Sequence, residues 1–269
     1  MLHLVALAAA LAAPAVDPIV STEWLQTHLK DRNVLVVDVS DRGAYDRSHI
    51  AGAVFMEHMA TVGDGHRLLP ADALAKAWAA VGVSNDTHVV LYGDTPMATG
   101  WMFTSLAAIG HGERVSMLDG GIKLWQSEKR PTETAAPKAA SGTLAVRPAS
   151  DAIVDAQWVR ARLDSPQIKL LDVRTSREWD AGHLPNATLI LWQDLFADRE
   201  LLTFKSRDEI RAMLAKDGVG PNQEAVTYCM VGLRASLMYV AARAAGVPAR
   251  VYVGSWQDWS KDPKNPVVR

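Results

Sequence analysis

The chain has 269 residues, with 28 Lys and Arg against 30 Asp and Glu and a formal net charge of −2. That balance gives no basic footprint for nucleic acid and no polybasic patch for a lipid surface. A single cysteine excludes an intramolecular disulfide, and no run of about 18 apolar residues continues into the body of the chain, so no membrane span is expected in the mature protein.

Taken in chain order, Leu4 to Ala13 is an apolar stretch followed by Ala13-Pro14-Ala15, a small-residue cleavage pattern. Residues 1–15 therefore read as a secretory signal, too short to anchor, which implies a periplasmic or secreted protein, or a cytoplasmic one if the segment is retained. Ser21 is expected to N-cap a helix carrying Trp24, and Val34 to Val39 and His88 to Tyr92 read as strands buried on both faces. Residues 18–130 form a first domain. Pro131 to Pro148, rich in Pro, Ala, Thr and Ser, marks a linker over 131–149. A second domain, 150–269, repeats the first: Asp155 caps a helix with Trp158, Ile168 to Val173 and Glu224 to Tyr228 are strands, and Ala235 to Ala245 is a helix stopped by Gly246 and Pro248.

The repeat is direct. At an offset of 134, Ile19-Val20 matches Ile153-Val154, Asp38 matches Asp172, His49 matches His183 and Trp125 matches Trp259; Tyr92 and Tyr228 match at 136. Alternating strands and helices at this spacing predict parallel α/β sheets covered by helices, one per copy.

The segment Tyr228-Cys229-Met230-Val231-Gly232-Leu233-Arg234-Ala235-Ser236 lies between a strand and a helix. A cysteine there faces unpaired backbone N–H groups and the positive end of the helix dipole, both of which favour an anionic sulfur. Gly232 lets the amides of Met230, Val231, Gly232, Leu233 and Ala235 curl into an anion nest, and Arg234 adds a positive fork. Four residues separate Cys229 from Arg234. That ring is short for a tetrahedral phosphate and its three equatorial oxygens, which argues against a cysteine–arginine phosphatase. It suits the terminal sulfur of a persulfide.

Three motifs together resemble the tandem-domain rhodaneses, the thiosulfate and 3-mercaptopyruvate sulfurtransferases. They are Leu171-Asp172-Val173-Arg174 with Glu178-Trp179 and Gly182 to Ala187; Cys229 to Ser236; and Gly254-Ser255-Trp256 with Trp259. The resemblance implies two rhodanese-like domains, each a five-stranded parallel sheet flanked by helices, with the site at the domain interface. It also implies no metal or organic cofactor. Cys229 is the expected catalytic nucleophile, taking sulfur from a small-molecule donor and passing it to a thiophilic acceptor such as cyanide or a thiol, with a protein acceptor also open. Thiosulfate and 3-mercaptopyruvate both remain as donors, because Cys-Met-Val-Gly-Leu-Arg has no Lys or Arg at Met230 or Val231. A module that binds or delivers sulfur without turnover is the rival of another class.

Copy one places Gly93, Ser40 and Ala98 opposite Cys229, Arg174 and Arg234, so it reads as an inactive wall. Arg174 is expected either to attract an anionic donor or to form a structural ion pair. Asp38, Asp172, His49 and His183 occur in both copies and read as structural. Trp24, Trp158, Trp125 and Trp259 repeat and read as core, while Trp256, without a counterpart, is a candidate for lining the pocket. Glu57 and His66 resemble an acid–histidine pair of mercaptopyruvate sulfurtransferases, with surface placement as the alternative.

Overall fold

The computed structural model describes residues 16–138, 140–147 and 151–269; the expected signal segment, 1–15, lies outside them. Each half of the chain builds one five-stranded sheet in which every pairing is parallel. In the first half the spatial order is Ile19–Val20, Val115–Leu118, His88–Tyr92, Val34–Asp38, Val54–Phe55. In the second half it is Ile153–Val154, Ala249–Tyr252, Glu224–Tyr228, Ile168–Asp172, Ala187–Leu189. The two orders are the same, as the internal repeat requires.

Ten α-helices cover these sheets among the described residues: α1 Thr22–His28, α2 Arg42–Arg47, α3 Ala71–Ala80, α4 Pro96–Ala108, α5 Gly121–Ser127, α6 Ala156–Arg160, α7 Ser176–Asp180, α8 Arg207–Lys216, α9 Leu233–Ala244 and α10 Ser255–Trp259. The expected caps are present, with Ser21 accepting from the Trp24 N–H and Asp155 from the Trp158 N–H. Gly246 ends the α9 region at φ 74°, where a side chain would be strained.

Strand residues alternate between two environments, which explains why the strands read as unbroken apolar runs. On the outer face of the first sheet Val36, Val90 and Leu118 meet Trp125, and on the outer face of the second Leu170, Val226 and Tyr252 meet Trp259. The inner faces, with Val37, Val89, Leu91, Leu171 and Val251, share a single core that spans both domains. Helices α4 and α9 lie in that shared core and are buried on nearly every side. They touch where Gly100 sits: a Cβ there would lie 2.8 Å from the Leu237 backbone.

Two hairpins cross between domains. One pairs Val62–Gly63 with Arg67–Leu68, and Arg67 forms an ion pair with Asp258 of the second domain. The other pairs Phe196–Asp198 with Thr203–Phe204, and the Phe204 N–H donates to Asp119 of the first domain at 2.8 Å. Two described parts of the linker region contact the first domain: Thr132–Glu133 pairs with His49–Ile50, and the Arg147 N–H donates to the Ile109 carbonyl.

Trp125 and Trp259 are fully buried, as expected of core residues. Trp24 and Trp158 are only half-buried, which corrects their reading as core. Each sits on a short helix at the rim of the outer layer, where an indole can keep one edge wet. Trp24 stacks on His28 at 4.1 Å, and Trp158 lies beneath the guanidinium of Arg162 at 4.2 Å.

Candidate active site

In an open parallel sheet, the crevice for a ligand opens at the carboxyl ends of the strands, where successive connections leave toward opposite sides. In the second domain that point lies between Ile168–Asp172 and Glu224–Tyr228. The first of these strands leads outward to Ala187–Leu189, and the second leads through α9 to Ala249–Tyr252. Cys229 follows the central strand directly and is 1% exposed.

The loop after Cys229 curls back on its sulfur. Gly232, at φ 94°, points its N–H at Cys229 Sγ from 3.1 Å. Only glycine fits there, because a Cβ would lie 2.7 Å from the Val253 carbonyl oxygen and 2.9 Å from the Trp101 ring. Gly232 is also the N-cap of α9, with no side chain closing the helix end, so the first-turn amides and the helix dipole face the sulfur region. Met230, Val231, Leu233 and Arg234 are partly exposed around it, and Ala235 is buried.

The Gly254-Ser255-Trp256 motif holds the loop from its other side. Ser255 Oγ accepts the Cys229 N–H at 3.0 Å and donates to the Tyr252 carbonyl at 2.9 Å. The N–H groups of Trp256 and Gln257, at the start of α10, donate to the carbonyls of Cys229 and Met230 at 2.9 and 3.0 Å. Ser255 adopts φ 54° and is fully buried. Its positioning role was not among the sequence-derived site residues.

Arg234 stands in the first turn of α9, and its guanidinium forms a two-pronged ion pair with Glu178 in the first turn of α7, at 2.8 and 2.7 Å. The Arg234 hydrogen bonds pull the Glu178 carboxyl down to about 2. The same pair, with the nearby Cys229 sulfur adding to it, holds the Arg234 guanidinium above its ordinary range despite its partial burial. Glu178 belongs to a family-like motif in the sequence but was not singled out as a site residue. One signal could have found it: the first copy carries Ala44 at its position and Ala98 at that of Arg234, so both partners are missing together.

Arg174 requires a correction. Its side chain is 1% exposed and donates to both carboxylate oxygens of Asp172, at 2.9 Å from Nε and 2.7 Å from Nη2. Nη2 also donates to the Gly182 carbonyl at 2.7 Å, and the guanidinium lies over the Trp256 ring at 4.7 Å. A cation so enclosed cannot reach out to an anionic donor. The reason lies in the strand end, since Asp172 is fully buried and needs a counterion. In the first copy the equivalent Asp38 has Ser40 instead, and burial pushes its carboxyl up. Trp256 accordingly packs against Arg174 and Gly182.

His49 and His183 stack on Tyr45 and Trp179 at 3.9 and 3.5 Å, and each Nδ1 bonds the carbonyl of that aromatic residue. Their local geometry is the same in both copies, as befits loop-fixing residues. Glu57 is exposed. His66 is not a free surface residue: it is half-buried at φ 61°, its ring lies 5.8 Å from Trp101, and its buried Nε2 has no hydrogen-bond partner among the described residues. Trp101 in turn closes on Gly232. The first domain thus forms one wall of the Cys229 region.

At the matching position of the first domain, Gly93 offers no thiol, and with Gly120 it lines a small cavity closed from the second domain by Leu202 and Phe204. A much larger cavity of about 570 Å³ lies elsewhere between the domains, lined by residues such as Trp24, His88 and Phe204 and by none of the Cys229 loop. The chemistry-bearing groups, not that volume, locate the candidate site. Among the described residues no cluster of His, Cys, Asp and Glu could hold a metal ion.

Comparison with known proteins bears on the family and the fold. The Rhodanese-like domain family matches residues 21–128 and 155–262. A sulfur carrier protein, TtuD, of Thermus thermophilus is 31% identical, covering 94% of this chain and 97% of the relative. A thiosulfate sulfurtransferase of Azotobacter vinelandii is 27% identical, covering 90% and 94%. The fold matches the 3-mercaptopyruvate sulfurtransferase SseA of Escherichia coli with a TM-score of 0.79 at 24% identity, over 90% of this chain and 99% of that one. The chain belongs to the rhodanese family, as two tandem rhodanese-like domains of a sulfurtransferase.

Proposed function

We propose that Cys229 takes a sulfane sulfur from thiosulfate or a similar donor, carries it as a persulfide, and yields it to a thiophilic acceptor. The Cys229 thiolate attacks the outer sulfur of thiosulfate; the S–S bond of the donor breaks and sulfite leaves with the electron pair. Cyanide or a thiolate then attacks the terminal sulfur of the persulfide, and the Cys229 thiolate is regenerated. The observation that carries this reading is the Gly232 N–H aimed at Cys229 Sγ from 3.1 Å at the open N-terminus of α9. Such a cradle stabilises a sulfur anion both before and after loading. Arg234 and the amides of Met230 to Ala235 complete it; Arg174 supports the fold.

The test is intact mass after incubation with thiosulfate or 3-mercaptopyruvate. An added mass of about 32 Da, one persulfide sulfur, lost in Cys229→Ala and removed by cyanide, is the expected result. Phosphate release from a phosphate ester without any sulfur adduct would refute the reading. A second reading, delivery of the persulfide sulfur to a protein acceptor, is favoured by the name of the Thermus relative, a sulfur carrier protein. A loaded chain that keeps its sulfur against cyanide and surrenders it only to a protein thiol would select that reading.

The signal-like segment at 1–15 supports export. N-terminal sequencing of the mature protein is expected to start beyond Ala15, and recovery of an uncleaved chain from the cytoplasm would overturn that expectation.

A further inference from the structure

Among the described residues, three arginines flanking the Cys229 loop each pair with a carboxylate. Arg174 is closed on Asp172, Arg67 from the first-domain hairpin is paired with Asp258, and Arg234 is gripped by Glu178 through both prongs. The other loop residues, Met230, Val231, Gly232 and Leu233, carry no charged side chain. Thus neither the loop nor these flanking arginines carries an uncompensated positive charge, and a doubly charged anion entering there loses hydration without gaining a full counterion.

Glu178 is built into this arrangement twice. Its Oε2 accepts from the Thr175 N–H at 3.0 Å and from Thr175 Oγ1 at 2.8 Å, closing the capping box of α7, and accepts from Arg234 as well. The capping box fixes the carboxylate, and the carboxylate fixes the guanidinium beside the sulfur. The first domain, which has no thiol, has Ala44 and Ala98 at these two positions while keeping the neighbouring Asp46 and His49. The ion pair therefore accompanies the nucleophile and is not a requirement of the scaffold.

We propose that Glu178 sets the charge of the sulfur cradle: it positions Arg234 while cancelling its charge, and so disfavours dianionic sulfur donors relative to neutral or singly charged ones. Thiosulfate is then a weakly bound donor, and organic persulfides or mercapto acids with a single charge are the better class. The inference deepens the sulfur-transfer reading and rests on it for the donor. The charge at Cys229 can be read without any sulfur transfer.

Cys229 is the only thiol in the chain, so alkylation of the full-length protein by anionic iodoacetate and by neutral iodoacetamide reports the local field as a ratio of rates. Glu178→Gln is expected to raise the iodoacetate-to-iodoacetamide ratio roughly three- to tenfold, the range for one unit charge at mixed dielectric. Arg234→Gln, which leaves Glu178 unmatched, is expected to lower it by a similar factor. Thr175→Ala, which weakens the cap and keeps the charge, and Glu178→Asp are expected to stay within about twofold of the wild type. With cyanide as acceptor, Glu178→Gln should lower KM for thiosulfate relative to that for 3-mercaptopyruvate, with kcat changing less. A ratio unmoved by Glu178→Gln, or moved equally by Thr175→Ala, overturns the proposal. If Glu178→Gln does not fold, the Arg234→Gln ratio decides, and no fall there overturns it too. Failure of both donors to load Cys229 would sink the sulfur-transfer reading instead, leaving the alkylation ratios to judge Glu178.

Discussion

At the scale of single residues, charge and one backbone angle govern the site. The Glu178 carboxyl is held near 2 by Arg234, against an ordinary value of 4.5. A carboxyl lowered on folding stabilises the native state above its unfolded value, and the contribution fades as pH falls from about 4.5 toward about 2. Urea unfolding should therefore show the wild type more stable than Glu178→Gln by roughly 2 kcal/mol above pH 5, after allowance for solvent screening. That gap should narrow as the pH drops below 4; a gap independent of pH would contradict it. Gly232→Ala is expected to be more severe for function than for folding. The added methyl strikes the Val253 carbonyl and the Trp101 ring and strains a φ of 94°. A loss of roughly 1–3 kcal/mol and of the persulfide adduct should follow, by thermal denaturation and intact mass.

At the scale of elements, two helix starts and one helix crossing decide the geometry. Helices α7 and α9 leave adjacent strand ends, which brings Glu178 and Arg234 together across 56 positions of sequence. Helix α10 supplies two amides to the carbonyls of the Cys229 loop. Ser255→Ala would leave the Cys229 N–H without its acceptor, a loss expected to cost about 1–3 kcal/mol and to slow alkylation-competent ordering of the loop, measured by hydrogen exchange at that amide. Gly100 sits against the Leu237 backbone where α4 crosses α9. Gly100→Leu is expected to push the helices apart and destabilise by roughly 1–3 kcal/mol or more, while Gly52→Ala, at a turn with open space, should cost less.

At the scale of the whole molecule, the inner faces of both sheets form one core. Calorimetry of the full chain should show a single transition with matching calorimetric and van't Hoff enthalpies, in place of two independent domain melts. Two separable transitions would show that the shared core is weaker than its composition implies. The cross-domain ties have the same consequence for function. Arg67 reaches Asp258 on the helix that supports the Cys229 loop, and Trp101 packs on Gly232. The thiol-free domain is therefore a structural part of the candidate site, which a copy that merely persisted from duplication would not need to be.

Strands, caps and the cysteine loop were legible in the sequence because each depends on neighbours in the chain. Apolar runs make buried strands, Ser21 and Asp155 bond amides three residues on, and Gly232 is needed wherever a loop must turn back over its own sulfur. The internal repeat added the division of labour, since Gly93, Ser40 and Ala98 stand opposite Cys229, Arg174 and Arg234. The fate of each arginine was not legible. A guanidinium beside a site looks the same in sequence whether it faces a ligand or a carboxylate, and only the fold brings Asp172 and Gly182 around Arg174 and Glu178 onto Arg234. Half-buried His66 and the seat of Ser255 under Cys229 depend likewise on contacts between distant segments. The chain by itself determined that Cys229 would close a buried strand just before a glycine-started helix. The tertiary structure decided which charges would surround it, because electrostatic compensation depends on distance in space and the sequence records only distance along the chain.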